Sequence, residues 1–551
     1  MSTTQTSPTL QILVSIYIRR DSHESGMTLQ EYADAVIAGT QPILSHDEYV
    51  YQFGSVQDEI TLVEEWAISN NLNIVESGSG IGAVKVLGTA EIFNNVFGIE
   101  LQTVVDENNI TFITYSGSLT IPTNIDHVVQ AIIGLDNSSR PTNNATIVEN
   151  TSPISPNTTI WCPQPIDLAL AYKFPRAVGS NQIQGKGASV GIISLSGGYT
   201  SANLTSTFSA LGLSNPTIVD VSVDGGTNNV NYDPSGGNFE NMLDIYCVGA
   251  VVPSAKIIFY SAPNTFGSFA NAITAAANDT INNPSVISIS WGAAESNYVF
   301  WKATYDTALQ TAIVKGINVF VATGDYGVRA AYGSPLYTVQ YPSASAYCVA
   351  CGGTVIGVNT DYTIASESAW GTDGGNYAGA GGVSTLTTLP SWQAGCSSTT
   401  YPDGVVSTIA KRGTPDVSAN AVYYYLYYGN SNIGAWAIGT SAVSPFLSGL
   451  MARLNQLTSK RQGFVNPTWY GVINTAFNDI IVGNNHGADT VAYMATAGWD
   501  ACTGVGSPIG TALYKLVNIG ETYPKCNDGF RPPRAVGGQT YPRISTGLRI
   551  S

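Results

Sequence analysis

The stretch NVFVATGDYGV, residues 318–328, runs through Val319, Phe320, Val321 and Ala322 without polar alternation, then breaks at two glycines around Asp325. An apolar run of this length, bounded by turn residues, predicts a strand buried on both faces. Four other stretches repeat the pattern: ASVGIISLS (188–196), AKIIFYSA (255–262), SVISISW (285–291) and AYCVACGG (346–353). Helical patterns lie between several of them. Buried strands alternating with helices predict an α/β fold with a parallel sheet covered on both faces. In such sheets the chemistry gathers at the carboxyl ends of strands. Asp325 stands at such an end. A lone loop acid reads first as a turn residue, and its place beyond a buried strand raises the chemical reading.

The chain has 551 residues, more than one core usually holds. Ahead of the buried strands, residues 10–125 alternate strand-like and helix-like stretches (LQILVSIYI, TLQEYADAVIAG, VQDEITLVEEWAISNNL, GAVKVLG, TFITYSG), a pattern that fits a small α+β domain. The segment DNSSRPTNNATIVENTSPISPNTT, 136–159, follows, with little to bury. It is expected to be an exposed linker. Its Asn-x-Ser/Thr sequons at Asn137, Asn144, Asn150 and Asn157 follow from an Asn-rich composition without invoking glycosylation. The boundaries drawn are 1–134 for the first domain, 135–165 for the linker, 166–520 for the main domain and 521–551 for a C-terminal extension.

A net charge of −16 argues against nucleic acid as a partner. The 22 Lys and Arg also limit the positive charge gained in acid, which suits an acidic milieu. No apolar run is long enough to span a membrane. The N-terminus MSTTQTSPTLQILVSIYIRR lacks the features of a signal peptide. All seven Cys lie at or beyond Cys162. Cys348 and Cys351 form a C-x-x-C inside an apolar strand, with no second pair or His cluster, so core packing is the expected role.

The stretch AIGTSAVSPFLSGLMARLNQ, 437–456, puts Ser441 after a Gly-Thr turn at the start of an apolar helix, a usual place for a hydrolase nucleophile. Its base is the open question. The four His are His23, His46, His127 and His486, and only His486 lies beyond the linker, in a polar loop. A Ser-His-Asp triad would have to use it. A carboxylate fits better. Glu240 and Asp244 stand one helical turn apart in NFENMLDIYCVGAVV, where their apolar neighbours predict a largely buried helix. Two carboxylates together in such a place cost stability unless they share a proton or serve chemistry; the plainer reading is an amphipathic helix with a solvated acidic edge.

Glu240 with Asp244, SISWG (288–292), TGDYG (323–327) and GTSAVSP (439–445) together resemble the sedolisin family, the serine-carboxyl peptidases, kumamolisin-like proenzymes among them. YPSASAYCVACGGT (341–354), AGGVSTLTTLPSWQ (380–393), RGTPDVSANA (412–421) and GWDACTGVGSP (498–508) extend the resemblance. LSHDEYVYQFG (44–54) and VKVLGTAEIFNNVFGIEL (84–101) resemble the family's propeptide. The resemblance implies a subtilisin-like catalytic domain at 166–520. It implies a ferredoxin-like α+β inhibitory propeptide at 1–134 and an activation cleavage within 135–165. It further implies an acid-acting, self-processing endopeptidase in which Ser441 is the nucleophile, Glu240 the base, Asp244 the acid behind it and Asp325 the oxyanion donor. It implies a calcium ion held by Asp479, Ile480, Thr496, Gly498 and Asp500, although the family usually has Gly where Thr496 stands. Protein or peptide substrates, the chain's own propeptide as inhibitor, a monomeric state and an extracellular or acidic compartment complete the expectation. The rival readings are a tripeptidyl exopeptidase of the same family, a catalytically silent relative, and an all-β surface adhesin suggested by the low-charge composition. The extension at 521–551, with five basic and two acidic residues, departs from the family pattern.

Overall fold

The computed structural model describes residues 2–517 apart from 21–25, 106–109, 139, 149–158, 161, 179–180, 332–333, 335–336 and 372–374. The extension at 521–551, the middle of the 135–165 linker and the sequons at Asn150 and Asn157 lie outside the described residues.

The N-terminal unit is α+β. Asn73–Gly78, Ala83–Thr89, Gln11–Ile18 and Val129–Ile133 form, in that order, an antiparallel sheet. Helices Gln57–Ser69 and Ala90–Phe97 bury Ile60, Val63, Trp66, Phe93 and Phe97 against Val14, Ile16, Val84 and Val86 of that sheet. Two more helices, Leu29–Ile37 and His46–Phe53, each begin at a capping box, Thr28 with Glu31 and Ser45 with Glu48. Their apolar side chains Leu29, Tyr32, Tyr49 and Phe53, with Leu44 just ahead of the second helix, join the core of the main domain, beside Phe269, Ile273, Tyr305 and Leu309. Beside this apolar contact, Lys85 Nζ sits 2.9 Å from both Asp224 and Glu76. Asn271 Nδ2 donates to Ser15 Oγ at 3.0 Å and to Asp224 Oδ2 at 2.6 Å. The first unit is therefore docked on the second by a shared core and a largely buried ion pair.

The main domain is built on a nine-stranded sheet. Seven of its strands are mutually parallel: Thr217–Ser222, Lys256–Ser261, Ser189–Ser194, Val286–Ile289, Asn318–Ala322, Val349–Asn359 and Val417–Asn420. Side chains alternate between two cores. Ile192, Ile257 and Phe320 face helices Gly237–Val251 and Val443–Thr458, whereas Ile193, Ile258 and Val319 face Phe266–Asn278 and Lys302–Val314. This is the doubly covered parallel sheet that the five apolar stretches predict, and its helices leave no room for an all-β adhesin. Cys348, just ahead of the strand Val349–Asn359 and not within it, and Cys351 inside it are both fully buried in the core. Among the described residues no helix is long and apolar enough to cross a membrane.

The exposed linker is corrected at residues 141–148. Thr142–Asn143 pairs antiparallel with Trp291–Ala294, Thr146–Val148 pairs antiparallel with Ile433–Ile438, and Asn144 between them is buried. The composition offers little apolar surface, but distant strands supply the missing partners for its backbone groups.

Candidate active site

Ser441 lies in the short turn Thr440–Ala442 that opens the helix Val443–Thr458. That helix is pinned to the sheet by Ser444, whose Oγ donates to the Phe320 carbonyl at 2.9 Å and lies 2.8 Å from Ser288 Oγ. The pin holds Ser441 over the carboxyl ends of the neighbouring strands Val286–Ile289 and Asn318–Ala322, just past which stand Ser290 and Asp325. Gly439 ahead of the turn has a φ of 148°, and a Cβ there would fall 2.1 Å from the Asn144 carbonyl oxygen and 2.7 Å from Asp325 Oδ2. Only glycine permits that approach.

The helix Gly237–Val251 is buried along its whole length. The solvated acidic edge therefore does not exist: Glu240 and Asp244 are both fully buried. Ser290 Oγ donates to Asp244 Oδ1 at 2.6 Å and lies 3.3 Å from the Ser441 carbonyl oxygen, tying the carboxylate helix to the serine turn. The Asp244 and Asp325 carboxyls and the Ser441 and Ser290 hydroxyls are the groups acting on Glu240. Ser441 Oγ, both Glu240 oxygens, Asp244 Oδ2 and Asp325 Oδ2 are buried without a hydrogen bond of ordinary geometry. Such a concentration of unsatisfied polar atoms marks a site built for something other than stability.

Burial, reinforced by the Asp244 carboxyl, pushes the Glu240 carboxyl well above its ordinary range, with the Ser441 hydroxyl opposing. Burial also raises Asp244 well above its ordinary range, against the Ser290 hydrogen bond. Asp325 is pushed up to about 8 by burial, even though its Oδ1 accepts the Thr440 N–H at 2.8 Å and lies 3.0 Å from Thr440 Oγ1. A carboxyl group held neutral up to that pH can donate a hydrogen bond. The cluster thus brings together a hydroxyl, two adjoining carboxyl groups and a third carboxyl whose pKa burial raises. His486 is elsewhere: its ring stacks on Tyr401 with centroids 5.3 Å apart.

A peptide already lies across the cluster. The Ser441 N–H donates to the Asn144 carbonyl at 3.3 Å, and the Asn144 N–H donates to the Ser290 carbonyl at 3.1 Å. Thr142–Asn143 and Thr146–Val148, held in strand pairings on either side, keep the Asn144 carbonyl at the Ser441 N–H. Sequence reasoning missed Asn144, Ser290 and Thr440. Ser290 and Thr440 stand inside SISWG and GTSAVSP, whereas Asn144 carries only a sequon.

The five residues expected around calcium come from two adjoining loops. Gly498 N–H donates to Asp479 Oδ2 at 3.0 Å, and Thr496 N–H donates to Asp500 Oδ2 at 3.0 Å. Ile480 adjoins Asp479. Asp500 is fully buried, and burial pushes its carboxyl up to about 7. No cluster of three or more His, Cys, Asp or Glu able to hold a metal exists among the described residues. A cation here would need backbone carbonyls beside the two carboxylates. That all-oxygen donor set fits a hard cation.

Residues 2–138 match the pro-kumamolisin activation domain, and residues 225–476 match the subtilase family. Kumamolisin of Bacillus sp. (strain MN-32) is 35% identical over 521 residues, covering 92% of each chain. Sedolisin of Pseudomonas sp. (strain 101) is 25% identical, over 91% of this chain and 85% of that relative. The structure of Pseudomonas sedolisin, a serine-carboxyl proteinase complexed with pseudo-iodotyrostatin, superposes with a TM-score of 0.56 at 26% identity, covering 66% of this chain and 99% of that one.

Asp325 gives the site a signature in stability. Its folded-state pKa is raised, so the stability it contributes is complete below the ordinary carboxyl range and is lost as pH rises toward about 8. In a Ser441→Ala background, thermal melts between about pH 4 and 8 should show the parent losing stability faster than the Asp325→Asn variant. Parallel melting curves would contradict the burial of a protonated Asp325.

Proposed function

The chain belongs to the sedolisin family of serine-carboxyl peptidases, with a kumamolisin-type activation domain ahead of a subtilisin-like peptidase domain, and from that premise we propose that it is an acid-acting endopeptidase made as a self-processing precursor. Ser441 attacks the carbonyl carbon of a bound peptide, and Glu240 takes the hydroxyl proton. Asp244 shares the proton network and holds Glu240 in place. Negative charge developing on the carbonyl oxygen meets the Ser441 N–H and the protonated Asp325. Glu240 then passes the proton to the leaving amine. Water, activated by the same carboxylate, hydrolyses the acyl-serine and restores the site.

One observation carries this reading: the Ser441 N–H donates to the Asn144 carbonyl, beside the buried Asp325 carboxyl. In the precursor the first domain acts as inhibitor by holding its own linker in the cleft, and the first cut falls between Asn144 and Ala145. The same geometry favours an endopeptidase over a tripeptidyl exopeptidase. The chain continues past Thr142 into Pro141 and the first domain, so the cleft accepts more than three residues ahead of the scissile bond. Work outside the cell or in an acidic compartment, as a monomer on protein or peptide substrates, fits the acid chemistry.

Activity against an unfolded protein substrate should peak between about pH 3 and 5, where carboxyl groups titrate. Ser441→Ala and Glu240→Gln should abolish turnover at every pH. Asp325→Ala should lower kcat by about 10²–10³. A maximum near pH 8 that vanishes in His486→Ala would overturn the carboxylate base, and equal inactivity of wild type and Ser441→Ala would make the chain a silent relative.

Asp479 and Asp500, with the carbonyls of Ile480, Thr496 and Gly498, would hold a calcium ion that ties the late loops to the peptidase body. Ion binding to the folded state alone stabilises by about 2.7 kcal/mol at 100 times the dissociation constant. A chelator should therefore lower the melting temperature of the wild type and leave Asp500→Ala unaffected. Equal melting of the wild type with and without chelator, at a pH where carboxylates are ionised, would remove calcium from the account.

A further inference from the structure

The side chain of Asn144 is as closely held as its carbonyl. Its Nδ2 donates to Gln340 Oε1 at 3.0 Å, and Gln340 Nε2 donates back to Asn144 Oδ1 at 3.1 Å. Both residues are buried, at 2% and 1% exposure, so this amide pair is shielded from water. Gln340 has little freedom to turn away. Its Nε2 also donates to the Ala330 carbonyl at 2.8 Å. A Cβ on Gly292 would come within 2.7 Å of Gln340 Oε1, and one on Gly324 within 2.7 Å of Gln340 Nε2. Two glycines thus leave a slot that the Gln340 amide fills, beside Asp325.

We propose that Gln340 sets specificity for the residue that donates its carbonyl to the scissile bond, selecting a short carboxamide and, in acid, the protonated carboxyl of aspartate. This inference rests on the peptidase reading, which makes the Asn144 position a substrate position. Gln340 offers one acceptor and one donor about a hydrogen bond apart, and asparagine returns one donor and one acceptor in the same plane. A protonated aspartate presents the same pair, whereas ionised aspartate has two acceptors and no donor. Leucine leaves Gln340 Oε1 buried without a donor. Glutamine carries the right groups one methylene too far. A site built to hydrogen-bond its substrate rejects analogues lacking the group far better than an apolar pocket rejects a change of size.

The test uses the self-processed enzyme and the ten-residue linker peptide RPTNNATIVE, residues 140–149, with Asn, Gln, Asp or Leu at the position of Asn144. In the wild type, kcat/KM for Asn should exceed that for Leu by about 10–100-fold. Cleavage after Asp should approach that after Asn only as pH falls through about 4. Gln340→Leu should reverse the Asn-to-Leu ratio. Gln340→Glu, whose single O–H in acid must serve either the Ala330 carbonyl or the substrate, should weaken the Asn preference at about pH 3 and lose it as its carboxyl ionises. Ratios between substrates within one enzyme preparation do not depend on how much of a variant folds. Equal cleavage of the Asn and Leu peptides by the wild type, or an Asn preference kept in Gln340→Leu, would overturn the assignment while leaving the peptidase intact. Failure to cleave any peptide faster than Ser441→Ala would instead defeat the peptidase reading itself.

Discussion

Three carboxyl groups buried around one serine set the terms for the whole molecule. Glu240, Asp244 and Asp325 are each almost completely hidden from water, and an isolated ionised carboxylate in such a place costs several kcal/mol even after relaxation. Burial raises the proton affinity of all three, and of the adjoining Glu240 and Asp244 one can hold a proton while the other ionises. A histidine in the same position would lose its charge on burial. A carboxyl gains a proton, and in the proposed reaction that is an advantage: the donor at the oxyanion is kept neutral, and the base shares its load with a neighbour. Acid conditions are the ones in which such a cluster is least costly to keep.

The scaffold exists to hold that arrangement against its cost. The serine helix is anchored to the sheet through Ser444, Ser288 and the Phe320 carbonyl, and Ser290 links the carboxylate helix to the serine turn. The first domain adds the remaining wall. Its helices share a core with the outer face of the peptidase domain, and the Lys85–Asp224 pair fixes its orientation. From that platform the chain enters the cleft at Thr142 and leaves at Val148 with Asn144 at the serine. In the proposed function, inhibitor and first substrate are then one segment.

Much of this was legible in the sequence, for local reasons. Continuous apolar runs announced the parallel strands, Asp325 followed one of them, and the apolar neighbours of Glu240 and Asp244 announced a buried helix. What was not legible depends on partners distant in the chain. The segment at 141–148 is rich in Asn, Thr and Pro and reads as solvated linker, yet Asn144 is covered by Gln340 and Ser290, which lie far along the sequence. Ser290 and Thr440 are small hydroxyl residues whose importance lies wholly in where the fold puts them. The calcium-loop residues came from resemblance, and the fold does bring their two loops into contact.

The account centres on the Asn144–Ala145 bond lying at Ser441 in the precursor, and the identity of the first cut tests it most directly. Purified full-length protein moved from about neutral pH to about pH 4 would be sampled over time, with intact-mass analysis and N-terminal sequencing of the earliest products. The account predicts a first pair of fragments ending at Asn144 and beginning at Ala145, formed at a rate independent of protein concentration and absent from Ser441→Ala. A first cut elsewhere in the linker with the Asn144–Ala145 bond intact, or a rate that rises with concentration, would contradict it.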